Sequence, residues 1–349
     1  MNKPADTHLL VFRFSAMGDV AMTVPVIMQL MDQYPDLKIT FVSEEKFMPL
    51  FTGLPRLDFF GADIRSTYKG ITGLYKLYRQ LKKRKHIFSV ADHHNVLRTK
   101  VLSFFFRLSG IKVTAIDKGR KEKKLLAQKN NKHLVQLEPT FLRYAKVFSG
   151  AGFPVSISTI QKRIKLPVDK SVQELVSSND KIKIGIAPFA KHKEKMYPVD
   201  EMEKVIAALI TTGYKLFFFG GGANETNQLV QWEKEYTGTV NVAGKLSLEE
   251  ELVLISRLDL MISMDSANMH LASLYGVPVV SIWGATHPFA GFYGFGQNPE
   301  NIVQADLYCR PCSVFGNKKC YRGDWACMHM INPIQVVEKV EEALRHAVK

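Results

Sequence analysis

Four short stretches put charged or hydroxyl side chains directly after an apolar run and before a helical pattern. In an open parallel sheet, ligands bind there, beyond the carboxyl ends of the strands. In DLMISMDSANMHLASLYG, residues 259–276, the apolar run ends at Asp265 and Ser266 suits a helix N-cap. A helix start offers backbone N–H groups and the positive end of a dipole, which suits a diphosphate. His270 lies one turn in, on the face of Ser266, so both could approach one anion. In IAPFAKHKEKMYPVDE, residues 186–201, Lys191, His192, Lys193 and Lys195 follow a strand pattern and could neutralise phosphate charge. In FFFGGGANETN, residues 217–227, glycines permit close backbone approach, and Glu225 could accept hydrogen bonds from ribose hydroxyls. In FRFSAMGDVAMTVP, residues 12–25, Asp19 sits where the first strand hands over to a helix and could act as a general base. The plain alternatives are a capping Asp265 with a satisfied His270, a solvated basic loop, and a first-turn helix carboxylate at Asp19, and a glycine run alone is weak evidence.

The elements that must position these groups alternate between strand and helix. HLLVFRF, KITFVSE, IFSVAD and KVTAID read as strands with helical spacing between them. The polar stretch ISTIQKRIKLPVDKSVQELVSSND reads as a linker. The pattern then restarts with KIKIGIAPFA, YKLFFFGG, DLMISMD and VPVVSIWG as strands. The helix after Pro198 ends at Gly213, and Ser247 with Glu250 forms a capping-box pattern. Such alternation implies an α/β protein with mostly parallel sheets covered on both faces. The divisions expected are 1–165, 166–332 and a terminal amphipathic helix at 333–349.

A chain of 349 residues suits two domains. No apolar run approaches the roughly 18–20 residues that span a bilayer, and MNKPADTHLLVFRF lacks a signal-peptide layout. The expectation is a cytoplasmic protein. The net charge of +14 has its clearest concentrations at Lys76–His86 and Ile116–His133. That leaves three partner classes open: nucleic acid, an anionic membrane surface, or a phosphorylated substrate. LKKRKH carries no interleaved aromatics and no nucleic-acid module is visible, which weighs against the first. The glycine fingerprint of a nicotinamide enzyme is missing after the first strand. All cysteines, Cys309, Cys312, Cys320 and Cys327, fall in one stretch. Four thiols suffice for a tetrahedral structural zinc, but the C-x6-C half departs from CxxC pairing, and a metal-free loop is preferred.

Together these junctions resemble glycosyltransferase family 9, the lipopolysaccharide heptosyltransferases. RFSAMGDVAMTVP resembles R-x-S-x-x-G-D-x-x-x-x-x-P; ADHHNVLRT resembles D-x-Q-G-x-x-[RK]-[ST], with His94 and Asn95 for Gln-Gly; KMYP resembles K-x-W-P, with Tyr197 for Trp. DSANMHLASLYGVPVVSIWGATHP resembles D-[ST]-G-x-x-H-x-x-[AS]-A-x-x-x-P with G-x-T-x-P, Ala267 standing for Gly. The resemblance implies a GT-B fold, two Rossmann-like domains facing across a cleft, with the terminal helix packing back on the first. It implies inverting transfer from a nucleotide sugar, ADP-heptose, to an anionic glycolipid such as the lipopolysaccharide core, with no required metal or other cofactor. Asp19 would be the base, with Lys195 and His270 stabilising the departing diphosphate. Ala190, Lys191, Glu225, Leu246, Asp265, Ser266 and Ala267 would complete the donor site. Ser15, Arg98, Arg120, Lys121, Lys123 and Lys124 would meet the acceptor. A lipid-linked acceptor adds peripheral attachment to the inner face of the cytoplasmic membrane. A family-9-type transferase using another nucleotide sugar or glycan acceptor, a donor-binding protein without turnover and a nucleic-acid-binding protein are the alternatives kept.

Overall fold

A computed structural model of the protein describes residues 7–83, 86–160, 162–168, 170–177 and 181–347. Parts of the basic run at Lys76–His86, the linker and the chain ends therefore lie outside the described residues. The chain divides into two compact units, Met1–Gly119 with Glu138–Ser158, and Arg120–Leu137 with Thr159–Lys349.

The first unit holds β1 (His8–Phe12), β2 (Lys38–Ser43), β3 (Leu57–Gly61), β4 (Ile87–Asp92) and β5 (Lys112–Ala115). They form one parallel sheet in the order β3-β2-β1-β4-β5. β1 is buried at every residue, as expected of a central strand covered on both faces. Leu10, Phe12, Phe14, Leu77 and Phe106 build the core on one side of it. Register sets Phe12 opposite Asp92, so the chain leaves β1 and β4 at the same end of the sheet.

The second unit holds β6 (Lys183–Ala187), β7 (Lys215–Phe218), β8 (Thr239–Asn241), β9 (Leu260–Met264), β10 (Val279–Trp283) and β11 (Ile302–Gln304). The order is β11-β10-β9-β6-β7-β8, all parallel. Counting from each unit's first strand, the first sheet runs 3-2-1-4-5 and the second 3-2-1-4-5-6, the Rossmann order, and both reverse direction beside that first strand. The reversal lies between β1 and β4 in one and between β6 and β9 in the other. Pro198 caps helix Val199–Thr211, and Ser247 and Glu250 make the expected reciprocal box, with bonds of 3.3 and 2.7 Å.

Two of the expected boundaries differ, and the terminal helix finds a core. The terminal helix, Pro333–Ala347, buries Val336, Val340, Ala343 and Leu344 in the second unit's own core, with Ile184, Ile262 and Ile282. Its apolar face lies against β9, β10 and their neighbours. Residues 120–137 join the second unit as well. Leu126 and Leu137 cluster with Ala290, and the Leu137 N–H donates to the Phe289 carbonyl at 2.9 Å. The presumed linker belongs largely to the second unit: the Ile164 N–H donates to the Tyr275 carbonyl at 3.1 Å and that of Leu166 to Ser256 Oγ at 3.0 Å.

Candidate active site

At the second unit's reversal point, β6 runs into the loop carrying Lys195 and β9 ends one residue before Asp265. Lys195 Nζ donates to Asp265 Oδ2 at 3.0 Å, and the two side chains are only 13% and 11% exposed. An ion pair this buried needs accurate geometry, since desolvation of either charge costs several kcal/mol. The geometry is built by neighbours. The Tyr197 N–H donates to Met264 Sδ at 3.3 Å and its hydroxyl to the Ile331 carbonyl at 2.7 Å, anchoring the chain just after Lys195. Gly316, at φ +75°, comes against the lysine stem: a Cβ there would lie 2.4 Å from Lys195 Cγ. The Ala285 N–H donates to the Glu194 carbonyl at 3.2 Å, and the Cys312 N–H donates to the Ala285 carbonyl at 2.8 Å. The cysteine-rich segment therefore braces the lysine loop.

Helix Ala267–Leu274 starts beside this pair. Ser266 holds the N-cap position but its hydroxyl makes no capping bond; it pairs with Ser263 Oγ at 3.1 Å instead. The helix start is thus not closed by its own cap side chain. His270 is buried in the next turn. Ala190 is buried and Lys191 exposed on the β6 loop. Glu225 is half-buried and accepts the Gly221 N–H at 2.8 Å, closing the glycine turn whose Gly222 has φ +96°. Leu246 is half-buried just before the Ser247 cap.

At the first unit's reversal point the arrangement is similar in kind. Asp19, on helix Met17–Ala21 after β1, pairs with the Arg13 guanidinium and accepts the Ala16 N–H at 3.4 Å. Arg13 Nη1 also donates to the His93 carbonyl at 2.7 Å. Burial pulls the Arg13 pKa down, but Asp19, Tyr144 and Asp92 outweigh it and hold it above the ordinary value. Asp92, ending β4, accepts the N–H groups of His94 and Asn95 at 2.9 and 2.8 Å, while burial raises its carboxyl. Asn95 has φ +44°, a left-handed conformation that asparagine adopts more readily than most residues, which accounts for its standing where the motif has glycine. His93 is buried between Tyr144 and Phe148, with ring centroids 4.5 and 4.6 Å away. Burial, then Arg13, pushes His93 down to about 3.

Ser15 is half-buried beside this cluster and Arg98 is exposed in the first turn of helix Leu97–Leu108. Arg120, Lys121 and Lys124 are exposed but belong to the segment that joins the second unit. Lys123, also expected to meet the acceptor, is buried, with Nζ 4.1 Å from the Phe292 ring centroid. The cysteines are free thiols, three buried and Cys320 half-buried. Burial, then neighbouring thiols, pushes Cys312 up to about 11. Among the described residues no group of three or more His, Cys, Asp or Glu is gathered to hold a metal ion.

Sequence reasoning missed the ion pair that Arg13, the first residue of the R-x-S-x-x-G-D stretch, makes with Asp19, and the pairing of Lys195 with Asp265. It also missed Arg310, a buried guanidinium donating to the carbonyls of Gly284, Thr286 and Ala305 at 2.6, 3.1 and 2.5 Å, and to Gln304 Oε1 at 2.9 Å. This clamp shapes the G-x-T-x-P loop after β10, where burial and Arg310 push His287 down to about 4. A groove of about 1050 Å³ beside helix Pro333–Ala347 contains none of these strand-end residues.

Two outcomes follow from this geometry. Gly316→Ala adds a Cβ against Lys195 at a positive φ; nucleotide affinity should fall several-fold by calorimetry in a protein that still folds, and unchanged affinity would show that the brace is idle. Native His93 titrates near 3 and unfolded histidine near 6.5. The unfolded chain therefore binds the extra proton, and stability contributed by neutral His93 is lost as pH falls through that window, at up to about 1.4 kcal/mol per pH unit. Denaturant titrations of His93→Phe should give a slope shallower by one proton between pH 6 and pH 4; a slope equal to wild type contradicts the assignment.

Residues 75–321 match glycosyltransferase family 9 (heptosyltransferase). The lipooligosaccharide heptosyltransferase 2 of Campylobacter jejuni is 25% identical over 340 residues, covering 95% of this chain and 96% of that protein. A family 9 glycosyl transferase from Veillonella parvula shares the fold at a TM-score of 0.77 and 22% identity, over 99% of each chain. The E. coli heptosyltransferase WaaC, solved with ADP-2-deoxy-2-fluoro heptose, matches at 0.65 and 18% identity, over 96% of this chain and 99% of that one. The fold is the GT-B fold of these structures, and a family match over most of the length accords with motifs at both reversal points: this chain belongs to glycosyltransferase family 9.

Proposed function

We propose that this glycosyltransferase moves heptose from ADP-heptose to the inner core of lipopolysaccharide, with inversion and without a required metal ion. The observation that carries the reading is the buried Lys195–Asp265 pair beside the start of helix Ala267–Leu274. It is a fixed cation next to a helix N-terminus, the combination a departing diphosphate needs. The E. coli relative's bound ADP-heptose analogue and the Campylobacter relative's lipooligosaccharide substrate support the choice of donor and acceptor.

In this reading the Asp19 carboxylate takes the proton of the acceptor hydroxyl as that oxygen bonds to the anomeric carbon. The bond from that carbon to the β-phosphate oxygen breaks, and ADP leaves with its electron pair. A single displacement needs one base, not the carboxylate pair of a retaining enzyme. Arg13 aims the Asp19 carboxylate. Lys195, His270 and the backbone around Ser266 and Ala267 receive the charge on the leaving diphosphate, with Ala190 and Lys191 beside them. Asp265 acts through Lys195, holding its ammonium in place. Glu225 meets the ribose and Leu246 the base. Ser15, Arg98, Arg120, Lys121 and Lys124 meet the phosphorylated acceptor. A lipid-linked acceptor also puts the enzyme in the cytoplasm, attached peripherally to the inner face of the cytoplasmic membrane. Transfer from another nucleotide sugar to another glycan is the second reading, favoured by Ala267 and His94–Asn95, which depart from the family motifs.

A thermal-shift panel of ADP-, UDP-, GDP- and CMP-sugars tests the donor. Selective stabilisation by ADP-heptose is expected, about 2.7 kcal/mol at a hundredfold excess over Kd; a larger shift with another nucleotide overturns it. Asp19→Asn should lower kcat by about 10²–10⁴-fold while the ADP shift persists. Transfer at the wild-type rate would remove Asp19 as the base.

A further inference from the structure

Helices Gly70–Lys82 and Leu97–Leu108 pack on each other, and their outward faces carry side chains that the core does not use. Ile71, Tyr75, Leu97, Phe104 and Leu108 are between 45% and 79% exposed. Their spacing makes stripes: Ile71 and Tyr75 one turn apart on the first helix; Leu97, Phe104 and Leu108 along one face of the second. The stripes join through rings. The Tyr75 and Phe105 centroids are 5.3 Å apart, and those of Phe105 and Phe104 6.0 Å. Isolated exposed apolar residues need no explanation, but a joined patch of this kind marks an interaction surface.

Charge identifies the partner. From residue 70 to residue 112 the sequence has ten lysines and arginines and one acid, Asp92, which is buried at the end of β4. Lys76, Arg79, Lys82, Lys100 and Arg107 are exposed around the aromatic stripe. Arg79 Nη1 donates to the Tyr75 hydroxyl at 3.4 Å, and Lys82 Nζ lies 5.8 Å from the Tyr78 ring centroid, so cations and rings share one surface. Protruding apolar side chains ringed by cations with no anion among them match a bilayer interface, which offers acyl chains just below anionic headgroups.

We propose that this two-helix face seats the enzyme on an anionic phospholipid surface, Phe104 and Leu108 entering the headgroup–acyl boundary while the surrounding cations meet the headgroups. The proposal rests on the lipid-linked acceptor argued above: Arg98, in the first turn of the second helix, stands next to Leu97 at the edge of the patch.

The test uses the full chain with vesicles of phosphatidylcholine, alone or doped with phosphatidylglycerol. Phe104→Trp should shift its emission to the blue and be quenched by brominated acyl chains on the doped vesicles only, while Ile334→Trp, on an exposed site of the second unit, should do neither. Lys76→Glu with Arg79→Glu, and Phe104→Ser with Leu108→Ser, should each weaken vesicle binding at least tenfold, as should high salt for the wild type. These side chains are exposed, so unfolding midpoints should hold. Transfer to a soluble core oligosaccharide should also hold in both variants. Equal binding to neutral vesicles, wild-type binding by the variants, or a Phe104→Trp shift that tracks protein concentration or added DNA in place of lipid would overturn the surface. Loss of oligosaccharide transfer in the wild type, with vesicle binding intact, would overturn the functional reading and leave the surface standing.

Discussion

In a doubly wound parallel sheet, one pair of neighbouring strands sends its connections to opposite faces, and a crevice opens between their carboxyl ends. This chain has two such points. Between β1 and β4 the crevice is lined by Arg13, Asp19 and the loop after Asp92. Between β6 and β9 it is lined by Lys195, Asp265 and the start of helix Ala267–Leu274. Each crevice carries a cation paired with a carboxylate from a different element. The pairing makes a charge tolerable at a half-buried strand end, where an unpaired one would face a desolvation penalty of several kcal/mol. It also fixes the orientation of both charged groups.

Much of the remaining structure serves those fixed positions. The cysteine-rich segment contributes Gly316, whose missing side chain leaves room for the lysine stem, and Cys312, whose N–H ties it to the loop after β10. Arg310 holds that loop by its carbonyls. Tyr197 anchors the far side of Lys195. On the first unit, His93 is kept neutral in an aromatic slot while its carbonyl accepts from Arg13. These supports use backbone bonds and packing more than charge, so the charged groups they hold are few and specifically placed.

What was legible in the sequence was local. The strand ending before Asp265, the cap position of Ser266, the box of Ser247 and Glu250, and the helix after Pro198 all follow from neighbours in the chain. Family motifs then identified the chemistry those junctions carry. What was not legible was pairing at long range. Nothing near Lys195 in the sequence says that its partner lies seventy residues on. Arg13 stood in its motif without a role because that role depends on pairing with Asp19. Residues 120–137 looked like part of the first domain because nothing in their composition reveals that Leu126 and Leu137 pack with Ala290. Lys123 looked like one more acceptor cation, and only tertiary packing sets it over Phe292.

The central claim is that Lys195 and Asp265 act as one unit, the carboxylate holding the ammonium that meets the diphosphate. A double-mutant cycle read by calorimetric ADP affinity tests this most directly. With Lys195→Met, Asp265→Asn and the double variant, the account predicts that both single changes weaken ADP binding. The double variant should be no weaker than Lys195→Met, giving a coupling of about 1–3 kcal/mol. Additive losses, or an Asp265→Asn protein that binds ADP as the wild type does, would contradict it.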